Sequence, residues 1–416
     1  MKNPNYDIIV FGATSFVGKI ICQYLCEHAK NESFTWALAG RSKEKLTTLQ
    51  AELGEAGAHL PLLVVDANDS AGLIAMCNQT KVILTTVGPY DLYGEPVVKA
   101  CVETGTDYCD LTGEAHWIKK MLDKYESQAQ TSGSRIVHCT GFDSIPSDLG
   151  VFHLQQAAKA AFGEHCPNVK LRIKNMRGSA SGGTIATALN IAKLVRTDPA
   201  VKKVLVNPYA LCPENHGFKT RQQKDGIYYD DTFNAWYGPF FMAGINTRIV
   251  HRSNALSQHA YGTDFKYNEG VLTGRGWKAK AKARSIHWGL MSFYLGASLG
   301  PIRALMQKFF LPKPGEGPSP KAQLKGFYDF RFVGTTDTQQ QIITKVYGDR
   351  DPGYGSTAQI IGQAALCMAQ DVKPTVKGGF WTPATLMGKA LIERLNQHTG
   401  VSFEVLSTET QKEEKS

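Results

Sequence analysis

Gly12 and Gly18 enclose the run Gly12-Ala13-Thr14-Ser15-Phe16-Val17-Gly18, a spacing suited to a turn that wraps around phosphate. Gly12 permits the tight turn. Gly18 lets a following helix pack closely on a preceding strand, so that free N–H groups at the helix start meet an anion. Ser15 stands where such turns usually carry a middle glycine; serine is small, and its hydroxyl offers a donor to a phosphate oxygen. Further on, Gly40-Arg41-Ser42, with Lys43 or Lys45 nearby, gathers positive charge and donors and places no carboxylate at that turn. A ribose 2′-hydroxyl would call for an acid there, whereas a 2′-phosphate suits a guanidinium, so the pattern favours NADP(H) over NAD(H). Asp66 either accepts from an adenine amino group or caps the next helix. Thr86, Val87, Gly88 and Pro89 form a small-residue turn past which a nicotinamide ring and ribose could lie close to the backbone.

These residues need strand ends to hold them. Asp7 to Phe11 is a β-branched and apolar run of the kind that fills a parallel strand buried on both faces. Behind the glycine turn, Val17, Ile20, Ile21, Tyr24 and Leu25 recur at helical spacing. Further runs at 34–39, 62–65, 82–84 and 135–137 alternate with helical stretches. That alternation implies a doubly wound parallel sheet of the Rossmann type, with ligands gathering beyond the carboxyl ends of its strands. Tyr90, Asp143 and Ser144 fall near those ends and are the candidates for handling a proton. Asp143 and Ser144 could equally cap the helix that starts near Pro146. Asp110 and Glu114 are weaker candidates, since buried carboxylates often serve only local backbone donors.

Composition narrows the classes. With 416 residues, 43% hydrophobic and 20% charged, the chain has the make-up of a globular protein of two or three domains. The net charge of +9 is spread widely and no nucleic-acid module is visible, so an anionic small molecule is the better match. Nine scattered cysteines without C-x-x-C spacing argue against both a disulfide framework and a structural metal site. With no export signal at the start, the expected location is the cytoplasm. No tyrosine is followed by lysine four positions on, and neither H-E-x-x-H nor G-x-S-x-G occurs.

Together with Thr86-Val-Gly-Pro-Tyr90, Tyr108-Cys-Asp-Leu-Thr-Gly-Glu114 and Gly141-Phe-Asp-Ser-Ile-Pro-Ser-Asp148, the two basic and glycine-rich turns closely resemble the saccharopine dehydrogenase-like oxidoreductases, nearest the trans-acting enoyl reductases. Further matches at Ser181-Gly-Gly-Thr184, Gly315-Glu-Gly-Pro318, Asp351-Pro-Gly-Tyr354 and Gly378-Gly-Phe-Trp-Thr-Pro383 extend the likeness over nearly the whole chain. The resemblance implies an NADP-binding Rossmann domain over 1–148, an α+β substrate domain with a mixed or antiparallel sheet over 149–350, and C-terminal helices packing back over 351–416. It also implies hydride transfer from NADPH to an activated double bond of a lipid-like substrate. Amine or imine chemistry on an amino-acid adduct is the alternative, as is a catalytically silent NADP(H)-binding protein at a lipid surface.

Beyond residue 148 the pattern changes. Residues 169–173, 327–332 and 341–346 alternate like strands with one wet face, the last two as antiparallel neighbours, and Thr184 to Val195 reads as a helix. Arg275, Lys278, Lys280, Lys282 and Arg284 precede an apolar stretch at 285–311, in which Trp288, Met291, Leu295, Leu299, Ile302, Leu305 and Phe309 could share one helical face. Glycines, Pro301 and Arg303 interrupt it, so contact with the inner face of the plasma membrane is a better reading than a crossing. An internal helix pair or a homodimer contact fits the same residues. The prolines between 312 and 320 mark a loop, and the polar tail from about 408 is expected to be disordered.

Overall fold

The computed structural model describes residues 4–178, 182–309 and 317–409. Strands β1 (Tyr6–Phe11), β2 (Trp36–Gly40), β3 (Leu62–Val64), β4 (Thr80–Thr85), β5 (Asp107–Asp110) and β6 (Arg135–Val137) pair in parallel in the order 6-5-4-1-2-3. Period-two alternation explains why β1 is apolar throughout: Ile8 and Val10 enter one buried cluster while Ile9 and Phe11 enter the other, on the opposite face. Val10 pairs with Leu84 and Phe11 with Thr85, so β1 and β4 end together. Strand order reverses between them, which opens the crevice where ligands of such sheets bind.

Strands β7 (Asn168–Arg177), β8 (Tyr228–Asp230), β9 (Ala235–Gly238), β10 (Lys266–Gly274), β11 (Phe327–Thr335) and β12 (Gln341–Gly348) belong to a second sheet. It is mixed: β7 and β10 run parallel and the remaining pairs are antiparallel, β11 with β12 among them. The helix Ile145–Phe162 spans positions 148 and 149, so the chain leaves the first sheet inside a helix rather than at a linker. One apolar cluster runs from Ile8 and Leu84 through Leu149 and Ile361 to Phe332 and Val346, joining both sheets through a shared core.

The segment after residue 350 packs two helices back, Thr357–Gln370 and Gly388–His398, and also adds a strand to each sheet. Strand β13 (Gly379–Trp381) extends the parallel sheet beside β6, and β14 (Val401–Glu409) pairs with β12. The tail expected to be disordered from about 408 is therefore strand through Glu409, and 410–416 lie outside the described residues, as do 310–316 of the proline-rich loop.

The basic-then-apolar region forms the helices Gly276–Ser298 and Gly300–Phe309. Leu299 takes an extended backbone between them, and Pro301, lacking an N–H, opens the second helix. The single apolar face expected from Trp288 to Phe309 is thus broken at Leu299; the side chain of Phe309 lies outside the described residues. Among the described residues no helix is long and apolar enough to cross a membrane.

Candidate active site

The glycine turn closes on the end of β4. Gly12 has φ +88°, and a Cβ there would come within 2.7 Å of Thr86 Oγ1. A Cβ on Gly18 would lie 2.3 Å from the Gly12 carbonyl oxygen, so the helix Phe16–His28 sits as close to the turn as its backbone allows. Ser15 Oγ accepts from the Gly18 amide at 2.9 Å and meets Thr86 Oγ1 at 2.9 Å, while Thr86 donates to the Gly12 carbonyl at 2.9 Å. Ser15 is then the donor in the hydroxyl pair, and its proton is used inside the turn. The expectation of a phosphate donor at Ser15 gives way to that of a helix cap that ties the turn to β4. Gly12 and Ala13 donate to the Ala39 carbonyl, and the helix's first bond runs from Lys19 to the Ser15 carbonyl. Phe16 and Val17 therefore present first-turn amides at the cavity, with the helix dipole behind them. This cradle fits a dinucleotide diphosphate.

Arg41 follows β2 as an exposed side chain beside that turn. Ser42 caps the next helix, accepting from the Lys45 amide at 3.3 Å, and donates to Glu44 Oε2 at 2.8 Å. Its hydroxyl is occupied locally, and Arg41, Lys43 and Lys45 are the cations of this corner. Asp66 Oδ1 accepts from the Asn68 amide at 2.8 Å, and the cap of the following helix is Asp69, not Asp66. Arg41, Ser42, Lys45 and Asp66 sit at neighbouring strand ends outside the lining of the main cavity.

Thr86, Val87, Gly88 and Pro89 form the turn after β4, and Thr86, Gly88 and Pro89 line the cavity. Glu114, fully buried, accepts from the Tyr90 amide at 3.0 Å and the Asp91 amide at 3.1 Å, clamping the far side of that turn. Burial raises its carboxyl to about 6 against these two favourable bonds. Asp110 accepts from the Thr112 and Cys139 amides, from Tyr108 at 2.9 Å, and pairs with His138 Nδ1 at 2.6 Å. Both acids serve backbone donors, as buried carboxylates often do.

The three proton-handling candidates separate. Tyr90 donates to the Thr85 carbonyl at 3.1 Å and accepts from the Leu111 amide at 3.1 Å, and burial lifts its pKa far above the ordinary range. Tyr90 lines the cavity, with its hydroxyl proton held by the Thr85 carbonyl. Ser144 is buried at the N-cap position of Ile145–Phe162, but its side chain makes no cap bond and instead donates to Asn246 Oδ1 at 3.0 Å, outside the cavity lining. Asp143 lines the cavity. Its Oδ2 is enclosed without a hydrogen-bond partner among the described residues. Burial first, and then the nearby Asp110 charge, push its pKa well above the ordinary carboxylate value.

Around Asp143 opens a cavity of about 1030 Å³ that runs from Thr14–Val17 to an apolar wall. That wall comes from Ala188, Ile191 and Ala192 on the helix Gly182–Thr197 and from Met291 and Leu295 on Gly276–Ser298. Its lining includes two arginines. Arg196 is exposed, and Arg248 is bound to the carbonyls of Val204, Gly244 and Leu205. The first of these helices opens within the Ser181-Gly-Gly-Thr184 match, but the helical repeats of neither one tie their walls to the site.

A parallel sheet with a phosphate turn at its switch point, opening on a large cavity lined by an acid of raised pKa, defines a dinucleotide-binding oxidoreductase. Residues 8–137 match the family model of the saccharopine dehydrogenase NADP-binding domain. The trans-acting enoyl reductase of Mycobacterium ulcerans (strain Agy99) is 38% identical over 415 residues, covering 95% of this chain and 96% of the relative. That of Mycobacterium tuberculosis (strain ATCC 25618 / H37Rv) is 36% identical over 405 residues, covering 94% and 95%. The chain belongs to the trans-acting enoyl reductase branch of the saccharopine dehydrogenase-like oxidoreductases. Apo saccharopine dehydrogenase (L-Glu forming) from Saccharomyces cerevisiae shares the fold, with a TM-score of 0.54 over 97% of this chain and 100% of that one at 11% identity.

Proposed function

We propose that the protein is an NADPH-dependent enoyl reductase that saturates a C=C bond conjugated to a carbonyl in a lipid-like substrate. The observation that carries this reading is the placement of Asp143, its Oδ2 without a partner among the described residues, on the lining of one continuous cavity that holds both the phosphate turn and an apolar chamber. Bound NADPH would supply the hydride. Phe16 and Val17 amides hold the diphosphate, Arg41 and Lys45 meet the 2′-phosphate, Asp66 faces the adenine end, and the Thr86–Pro89 turn, fixed by Glu114, receives the nicotinamide side. Asp143 gives its proton to the carbon left anionic when the β-carbon is reduced, so that one hydride and one proton complete the saturation. The walls formed by Ile191, Ala192, Met291 and Leu295 accept an acyl chain.

An amino-acid adduct would need several guanidinium groups converging on its carboxylates. Among the described lining residues only Arg196 and Arg248 are cationic, and Arg248 is already bound by three carbonyls. NADPH oxidation with enoyl thioesters of increasing chain length tests the assignment. Turnover that improves with chain length is expected, with none on saccharopine. Cofactor binding without turnover on any enoyl substrate would refute it.

A further inference from the structure

The helix Gly276–Ser298 buries Ala279 and Ala283 toward β9 and β10, and buries Ala297 against Leu189 and Ala192. Its other side has no partner among the described residues. There Trp277, Ala281, Arg284, Trp288, Met291 and Leu295 recur at steps of three or four and form an outward stripe. Trp277 is 76% exposed, Trp288 64% and Leu295 66%, and on the next helix Ile302 is 44% and Leu305 53% exposed. So much exposed tryptophan and leucine in one stripe marks an interaction surface rather than ordinary scatter.

Charge identifies what the surface meets. From 270 to 315 the sequence contains no aspartate or glutamate, although the chain has 37 acidic residues, and it contains eight lysines and arginines. Five of these lie between 275 and 284, ahead of the apolar half of the same helix. A basic segment followed by tryptophans and leucine along one exposed face matches the headgroup–acyl boundary of an anionic bilayer. A symmetric contact between two copies would bring two such cationic stretches into one interface, at a repulsive cost. Position adds a second observation. Met291 and Leu295 belong both to the stripe and to the cavity lining, and Phe241, 42% exposed, stands on the same lining. The apolar end of the cavity therefore reaches the surface where the stripe lies.

We propose that the outer face of residues 277–305 docks on an anionic membrane surface, with Trp277, Trp288 and Leu295 at the acyl boundary, and that the adjoining cavity mouth takes its substrate chain from the lipid phase. The second half rests on the lipid-like substrate inferred above; the docking does not, because it is measured without turnover. The full-length protein is sedimented with vesicles of phosphatidylcholine alone, or with about one-third phosphatidylglycerol, at low salt and at about 0.5 M NaCl. Binding to the anionic vesicles only, with a blue shift of tryptophan emission and release by salt, is expected. Lys278→Glu with Lys282→Glu should weaken partitioning by at least about 25-fold, at about fivefold per near-surface lysine removed. Trp277→Ser with Trp288→Ser, neither of which lines the cavity, should abolish the spectral shift and leave NADPH binding intact. Equal binding to neutral vesicles, or none to anionic ones, overturns the proposal. So does a wild-type dimer that the tryptophan variant converts to monomer in sedimentation velocity, which would assign the face to a second copy.

Discussion

Replacing Asp143 by Asn removes the transferable proton while keeping the shape of the side chain. Because Oδ2 has no partner among the described residues, the substitution breaks no hydrogen bond there. The turn that holds the cofactor is untouched. Loss of a positioned general acid typically costs 10²–10⁴-fold, so kcat should fall by about 10²–10³, the lower part of that range, with NADPH affinity changed by less than about twofold. Stability should move the other way. Folding raises the Asp143 pKa well above the ordinary value of 3.8, near which the unfolded chain releases that proton. The folded state therefore binds more protons above that pH, and the contribution of Asp143 to stability declines as pH rises toward its elevated folded pKa. The amide side chain is free of this penalty, so Asp143→Asn should melt at a higher temperature than wild type near pH 7. Stopped-flow NADPH oxidation, a pH–rate profile and thermal melts measure all three. Wild-type kcat should decline as pH rises through the raised Asp143 pKa, and the variant's residual rate should lack that step. A variant that keeps kcat within about threefold, or that melts lower than wild type, refutes the assignment.

Three other expectations follow from separate parts of the site. Arg41→Ala should weaken NADPH by about tenfold and leave NADH nearly unchanged, since an exposed charge-assisted phosphate contact is worth about 1.5 kcal/mol; paired fluorescence titrations measure the ratio. Glu114 has its folded pKa raised from 4.5 to about 6, so it favours the fold below 4.5 and loses that contribution as pH rises through about 6. The stability of wild type relative to Glu114→Gln should therefore drop by about 2 kcal/mol between acid and neutral pH, as read from urea unfolding. Ile191→Trp fills the apolar chamber and should raise KM for long-chain enoyl thioesters while sparing short ones, which a chain-length series detects.

The phosphate turn was legible because one strand, two glycines and a helical repeat lie next to each other between Asp7 and Leu25. The parallel sheet was legible for the same local reason. What sequence missed depends on distant partners. Strand β13 joins the sheet beside β6 through only Gly379–Trp381, too short to show a period of its own. Tyr90 stands at the right strand end, yet its hydroxyl is spent on Thr85 and Leu111, a matter of rotamer and backbone geometry. Asp143 and Ser144 are adjacent and read alike, but one faces the cavity and the other Asn246 across the core. The apolar walls from residues 182–197 and 276–298 carry ordinary helical repeats, which reveal burial and not what is buried against them.

The grip of the turn after β1 on a dinucleotide carries everything else, and it can be measured in one titration. Protein mixed with NADPH, and separately with NADH, should show saturable enhancement and blue shift of nicotinamide fluorescence, tighter for NADPH by about tenfold or more. No saturable binding of either nucleotide would contradict the site, and equal affinity for both would contradict the part given to Arg41.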